Sequence, residues 1–240
     1  MQKNKVKSLT ENKTIFLLGV EQKSNLNQFI QFDKSGSRVK EIQYKEDGSI
    51  DCINTIGYNS DGNLIFKKGI NADSSIVYKV TVSYDENKNR KELFFYLPDG
   101  TYKYRTISTY DRDGRMTELS WYWPTGFKSK NQYQYIGRRK IKDTEYDPQG
   151  KFTYVWEYEY DEKGNVISAK QFYPHNIING KITYEFNKDN LLIKQVNYFG
   201  ESIQGILTFE YDNKELLSTK TEYNSKGSVS AKYTYQYVFF

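Results

Sequence analysis

Apolar and polar side chains alternate with a period of two through most of this chain, the spacing of a half-buried β-strand. Across 152–160, Phe152, Tyr154, Trp156, Tyr158 and Tyr160 fall on one side, and Thr153, Val155, Glu157 and Glu159 on the other. The same parity runs through Ile182, Tyr184 and Phe186, through Ile76, Tyr78, Val80, Val82 and Tyr84, and through Val229, Ala231, Tyr233, Tyr235 and Tyr237. One sheet face is therefore expected to be aromatic and the other charged. No stretch has a 3.6-residue period, so no helix is expected.

The alternation is punctuated at regular intervals. Aromatic anchors followed by turn residues stand at 32, 58, 84, 110, 135, 160, 186 and 211, which are 25 or 26 residues apart. A second series lies between them: Tyr44, Ile70, Tyr96, Trp123, Tyr146, Tyr173, Tyr198 and Tyr223. Each unit thus holds two turns and two strands, and eight units predict about sixteen antiparallel strands in sequential hairpin order. Asp, Asn and Gly recur in the turns because these need side chains that bond the local backbone and residues that tolerate positive φ. Asp111, Gly114, Asp161 and Gly164 are assigned this structural role. The 4 prolines, at 98, 124, 148 and 174, all fall in turns.

The predicted fold is all-β, with about eight tandem hairpin units forming one long, strongly curled sheet, a spiral or open barrel. Curling is expected because open sheets rarely exceed ~10 strands. Residues 31–240 read as a single-domain array. Residues 1–30 precede the clean repeat and read as an N-terminal cap or irregular strands.

Composition explains what such a sheet can bury. Hydrophobic residues make up only 37%, and the mean hydropathy is −0.82, yet there are 23 Tyr, 14 Phe and 3 Trp against 2 Met. The chain is expected to bury rings, with tyrosine hydroxyls left at wet edges. Aromatic content and strict periodicity together exclude disorder. The net charge of +5 is spread along the chain and points to no nucleic acid or anionic membrane. Arg138, Arg139, Lys140 and Lys142, beside Tyr133 and Tyr135, form the densest basic run and read as a solvated strand. The segment 15–20 is too short for a signal-peptide core, and no transmembrane insertion is expected.

Catalytic chemistry has little to work with. The single histidine, His175, sits in a turn, and the single cysteine, Cys52, in a strand-like segment. Neither has a nucleophile or base at a motif spacing. Glu157 and Glu159 share a face, as acid–base carboxylates would, and read as part of the solvated face. Asp111-Arg112-Asp113-Gly114 is similar to the start of a calcium loop but lacks its later acidic ligand. The expectation is a non-enzyme with no catalytic residues, no metal and no cofactor. Trp121, Tyr122, Trp123 and Trp156 concentrate in the middle of the chain. They are the candidate binding patch, because flat rings stack on sugars, while the favoured reading is that the three indoles point inward and fill the core.

The run Tyr158-Glu159-Tyr160-Asp161-Glu162-Lys163-Gly164-Asn165-Val166 resembles the YD repeat of RHS-type proteins, and the Gly-ended turns are similar to those of MORN-variant repeats. The resemblance covers roughly residues 31–237. Tyr135-Ile136-Gly137-Arg138 and Tyr198-Phe199-Gly200-Glu201 depart from it. It implies a stand-alone bacterial array, with a cell-surface or secreted location as the family tendency. With the aromatic surface, it leads to the expectation of a repeat scaffold or binding module for glycans or protein partners. The alternative is an immunity or antitoxin-like partner of a polymorphic toxin.

Overall fold

The computed structural model describes residues 5–240. Among them are eighteen strands: β1 (Val6–Leu17), β2 (Val20–Phe32), β3 (Arg38–Tyr44), β4 (Ile50–Tyr58), β5 (Leu64–Ile70), β6 (Ile76–Tyr84), β7 (Arg90–Tyr96), β8 (Tyr102–Tyr110), β9 (Met116–Trp123), β10 (Gly126–Ile136), β11 (Arg139–Tyr146), β12 (Phe152–Tyr160), β13 (Val166–Tyr173), β14 (Ile177–Phe186), β15 (Leu192–Phe199), β16 (Ser202–Tyr211), β17 (Leu217–Asn224) and β18 (Val229–Phe239). Strands β3 to β18 are the sixteen that the repeat predicts. Residues 6–32 add two long strands ahead of them. The one other element is the 3-10 turn Pro174–Asn176, where His175 has a φ of 67°.

Local chemistry fixes the turns. In 161–165 the Asp161 amide donates to the Asn165 carbonyl at 2.9 Å, and the Gly164 amide donates back to the Asp161 carbonyl at 3.1 Å. The carboxylate of Asp161 accepts the Asn165 amide at 2.8 Å. Asp111 does the same for the amides of Asp113 (3.0 Å) and Arg115 (2.9 Å). The fourth turn residue is left-handed, at φ 74° for Gly114 and 92° for Gly164, which glycine adopts without steric cost. The assignment of Asp111, Gly114, Asp161 and Gly164 to turns therefore matches their geometry.

A bulge follows each such turn. Tyr160 lies opposite Val166 but Glu159 lies opposite Ser168, so Ile167 is the extra residue. Thr153 is the extra residue in the preceding hairpin, and its hydroxyl donates to the Glu145 carbonyl at 3.0 Å. A bulge places two residues against one and re-aims the side chains next to the turn.

The chain forms two compact units. The first comprises Met1–Val82, Phe95–Thr101 and Thr208–Phe240. Its strands pair antiparallel in the order β17, β18, β1, β2, β3, β4, β5, β6. An open spiral would leave the first and last strands with free edges. Here β1 pairs with β18 from Val6 opposite Phe239 to Ile15 opposite Ala231, so both terminal strands are bonded on both sides. An unpaired edge invites aggregation, and this pairing removes it.

Strand β18 shows the expected alternation, with Ala231 and Tyr233 buried and Lys232, Thr234 and Gln236 exposed. Two glycines in this unit lie under rings: a Cβ on Gly69 would strike the Tyr78 ring, and one on Gly57 would strike Phe66. Each ring belongs to the residue directly opposite its glycine.

The second unit comprises Ser83–Phe94 and Tyr102–Leu207, and within it β8 to β15 pair in chain order. Its buried apolar side chains are few and small: Val155, Ala169 and Val196. Most rings are half-buried. The turns at one end of its strands are linked in a row, each bonding a carbonyl of the next. Arg115 donates to Gly137 (2.7 Å), Arg139 to Glu162 (3.3 Å) and Lys163 to Lys188 (3.3 Å).

Candidate functional site

The four aromatic residues singled out from the sequence do not form one patch. Trp121 and Trp156 share a face of the second unit, because the register carries Leu119 to Asn131, Asn131 to Glu145 and Glu145 to Tyr154. Three strand spacings, about 14 Å, separate β9 from β12. Trp121 is half-buried against Tyr104, with ring centroids 5.5 Å apart. Tyr122 points to the opposite face, between Phe127 at 5.5 Å and the Arg105 guanidinium at 4.9 Å. Trp123 ends its strand beside the turn and is 48% exposed, with the Lys128 ammonium 4.9 Å above its ring. The shared inward burial expected of the three indoles therefore does not hold for Trp123. A strand end has no neighbour beyond it to cover the ring.

The surroundings of Trp156 are polar as well as aromatic. The Lys140 ammonium lies between the rings of Tyr133 (5.0 Å) and Tyr158 (4.9 Å) and 3.5 Å from the Asp143 carboxylate. Burial, with Asp143 adding to it, pushes the Tyr158 hydroxyl up to about 12 and raises Tyr133 as well. Three members of the basic run are therefore engaged within the chain. Lys140 is sandwiched, Lys142 pairs with Glu157 at 3.2 Å, and Arg139 lies over the Tyr160 ring.

The remaining candidates are also occupied by local partners. Glu159 pairs with Lys170 at 2.7 Å. Asp111 and Asp113 both hold Arg115, at 2.7 and 3.1 Å, in addition to turn amides. Cys52 is buried, its thiol is raised by burial, and its sulfur lies 3.6 Å from Asn54 Oδ1. Beside it, the buried Glu41 holds Lys67 at 2.8 Å, and Tyr78 donates to Asn54, which is 2% exposed. This polar cluster is an interior one, satisfied within the first unit.

Sequence parity missed a cleft of about 360 Å³ on the second unit. It is lined by Gln134, Lys142, Thr144, Tyr146, Phe152, Val155, Glu157 and Phe172. The register arranges these residues in three rows across β10 to β13. Gln134, Lys142 and Glu157 stand side by side; Thr144, Val155 and Phe172 form the next row; Tyr146 and Phe152 form the last. Thr144 and Val155 are buried and make the floor.

Phe152 belongs here only because Thr153 is bulged. Strict alternation puts it on the Trp156 face, whereas the bulge puts it beside Val155 and Glu157. The one signal in the sequence was the turn just before it, since bulges follow these turns.

A family model described as "Protein of unknown function (DUF2963)" matches residues 22–69. No curated protein matches the chain. Among solved structures, a porin-like protein from Bacteroides uniformis is 10% identical over 99% of this chain and 98% of that one, with a TM-score of 0.51. A porin-like protein from Bacteroides vulgatus is 11% identical over 97% and 98%, with a TM-score of 0.40. The TcdB2-TccC3-Cdc42 structure is 13% identical, with a TM-score of 0.40, over 93% of this chain. The present chain spans 14% of the length of that one. At these identities the likeness speaks to the fold alone.

Proposed function

We propose that this protein is a non-enzymatic repeat scaffold that binds glycans or protein partners on its β surface. The observation that carries this reading is the chemistry of the cleft on β10 to β13. Three aromatic side chains and a polar row surround a buried floor, and the carboxylate of Glu157 is held by Lys142 at 3.2 Å. Rings beside a polar row suit holding and orienting a ligand.

Charged pairs on both faces of the second unit suit the same reading. Lys142–Glu157, Lys170–Glu159 and Lys194–Glu185 carry charge on one face of the second unit, and Lys140–Asp143 on the other. A lipid-facing band would make such charges costly. Among the described residues, no helix is long and apolar enough to cross a membrane. The YD-like turns and the resemblance they carry add a repeat scaffold as the framework.

A glycan array with the purified chain, run beside affinity capture of protein partners, tests the proposal. Saturable binding with the ligand recovered unchanged is the expected result. Turnover of the bound ligand would overturn it.

A further inference from the structure

We infer that the cleft on β10 to β13 takes a single neutral pyranose, a sugar ring without charged substituents. This rests on the proposed binding role and narrows it to one site and one ligand class. The volume, about 360 Å³, lies at the lower end of the roughly 300–1,000 Å³ usual for small-molecule sites, which favours a small ligand.

The three rows run from polar to aromatic. Successive rows on a strand are about 7 Å apart, two residues of rise, so a ring lying across the floor of Thr144 and Val155 reaches both ends. Its apolar C–H face meets Phe172, Phe152 and Tyr146, and its hydroxyls meet Gln134, Lys142 and Glu157.

The ion pair chooses the charge of the ligand. Lys142 Nζ and Glu157 Oε1 are 3.2 Å apart at the polar end. A hydroxyl donates to the carboxylate and accepts from the ammonium at the same time, so a neutral polyol leaves the pair intact. An acidic sugar's carboxylate reaches Lys142 only in competition with Glu157 beside it, and an amino sugar's ammonium reaches Glu157 only in competition with Lys142. Either juxtaposition of like charges opposes binding. The Gln134 amide, both donor and acceptor, has the same neutral preference.

The test is calorimetric titration of the purified chain with methyl glycosides of glucose, galactose, mannose and N-acetylglucosamine, and with glucuronate and glucosamine. Phe172→Ala removes an aromatic wall. Glu157→Gln is nearly isosteric, so it reports on the site even where Phe172→Ala unfolds the chain. Ile203→Ala, at an exposed position on β16 of the same unit, is the control. At least one neutral glycoside binds the wild type with Kd of roughly millimolar order, and each cleft variant weakens it by about tenfold. Ile203→Ala and a rise in salt leave it unchanged. Neutral-sugar binding untouched by both cleft variants would overturn the cleft assignment while leaving the scaffold reading intact. Preference for a charged sugar would overturn the ligand class. A chain that captures a protein partner but no glycoside sinks the sugar inference alone, and one that captures neither sinks both.

Discussion

The Tyr160 hydroxyl donates to the backbone carbonyl of Lys140, 2.6 Å away and twenty residues earlier in the chain. The relationship recurs elsewhere in the array: Tyr58 to Arg38 and Tyr110 to Arg90 in the earlier repeats, and Tyr237 to Leu217 in the last strand. Tyr135 reaches Met116 in the shorter repeat. The tyrosine thus ties the end of one strand to the start of another, while the following Asp closes its own turn. Both letters of the Tyr-Asp signature have a structural task.

Loss and gain of that hydroxyl give the first prediction. Tyr160→Phe removes the donor and is expected to cost roughly 0.5–1.5 kcal/mol, the net worth of a typical internal hydrogen bond. Position 186 is the natural counterpart, an anchor where Phe stands and no hydroxyl is present. By the repeat, its partner carbonyl is that of Val166, so Phe186→Tyr is expected to stabilise by up to about 1 kcal/mol. Urea unfolding midpoints for the two variants should move in opposite directions. A shift of the same sign in both would remove the hydroxyl from the account.

The turns give a sharper contrast. Gly164, at φ 92°, is expected to lose at least roughly 1–2 kcal/mol on replacement by Val, because a Cβ-branched side chain does not fit the left-handed region. Glu159→Val loses only the exposed pair with Lys170 and should change stability by less than about 1 kcal/mol. Thermal unfolding of the two variants side by side checks this, and equal midpoints would contradict the turn geometry.

The tryptophans should divide by exposure. Trp121 and Trp156 are half-buried, so truncation to Ala is expected to cost less than the ~3–5 kcal/mol of a full core aromatic, though still a measurable amount. Trp123 is half-exposed at its turn, and its truncation should fall within about 0.5 kcal/mol. Iodide quenching should resolve an accessible, red-shifted component that disappears in Trp123→Phe. A single protected component in the wild type would contradict the exposed position.

Stability should fall at both ends of the pH scale. Hydrogen bonds from the hydroxyls of Ser35, Ser49, Ser75 and Thr101 hold Asp33, Asp47, Asp73 and Asp99 below the ordinary value of 3.8. The Arg115 amide does the same for Asp111, and the Asn165 side chain for Asp161. A depressed carboxylate stabilises the fold above its unfolded value, and that contribution disappears as pH drops through the folded value. Tyr158 and Tyr233 are raised from 10.0 to about 12 by burial, so their contribution is complete below pH 10 and is lost as pH rises through about 12. The unfolding midpoint should therefore be flat between roughly pH 5 and 9 and decline outside that window. A midpoint that stays constant down to pH 2 would show that the turn carboxylates contribute nothing.

Much of this architecture is readable from the chain alone, because its decisive interactions are local. A turn such as 161–165 closes between residues four apart, with the Asp161 side chain bonding the amide of Asn165. Short-range chemistry of that kind repeats wherever the residues repeat, so period, strand number from residue 32 onward and turn positions all follow from the pattern. The alternation in β18 is legible for the same reason, since Tyr233 and Tyr235 differ from Lys232 and Thr234 by a half-turn of the backbone.

Tertiary structure alone decided what depends on register across strands. Nothing local in Val6–Leu17 marks β18 as its partner, since that pairing joins segments more than two hundred residues apart and is selected by closure of the sheet edge. The face of Phe152 is set by the bulge at Thr153, and one inserted residue reverses every parity argument that passes through it. The cleft therefore draws Gln134, Lys142, Val155 and Phe172 from four strands, and Trp156, next to Val155 in sequence, faces away from it. Sequence fixes which residues alternate, but only hydrogen-bonded register fixes which alternating positions meet.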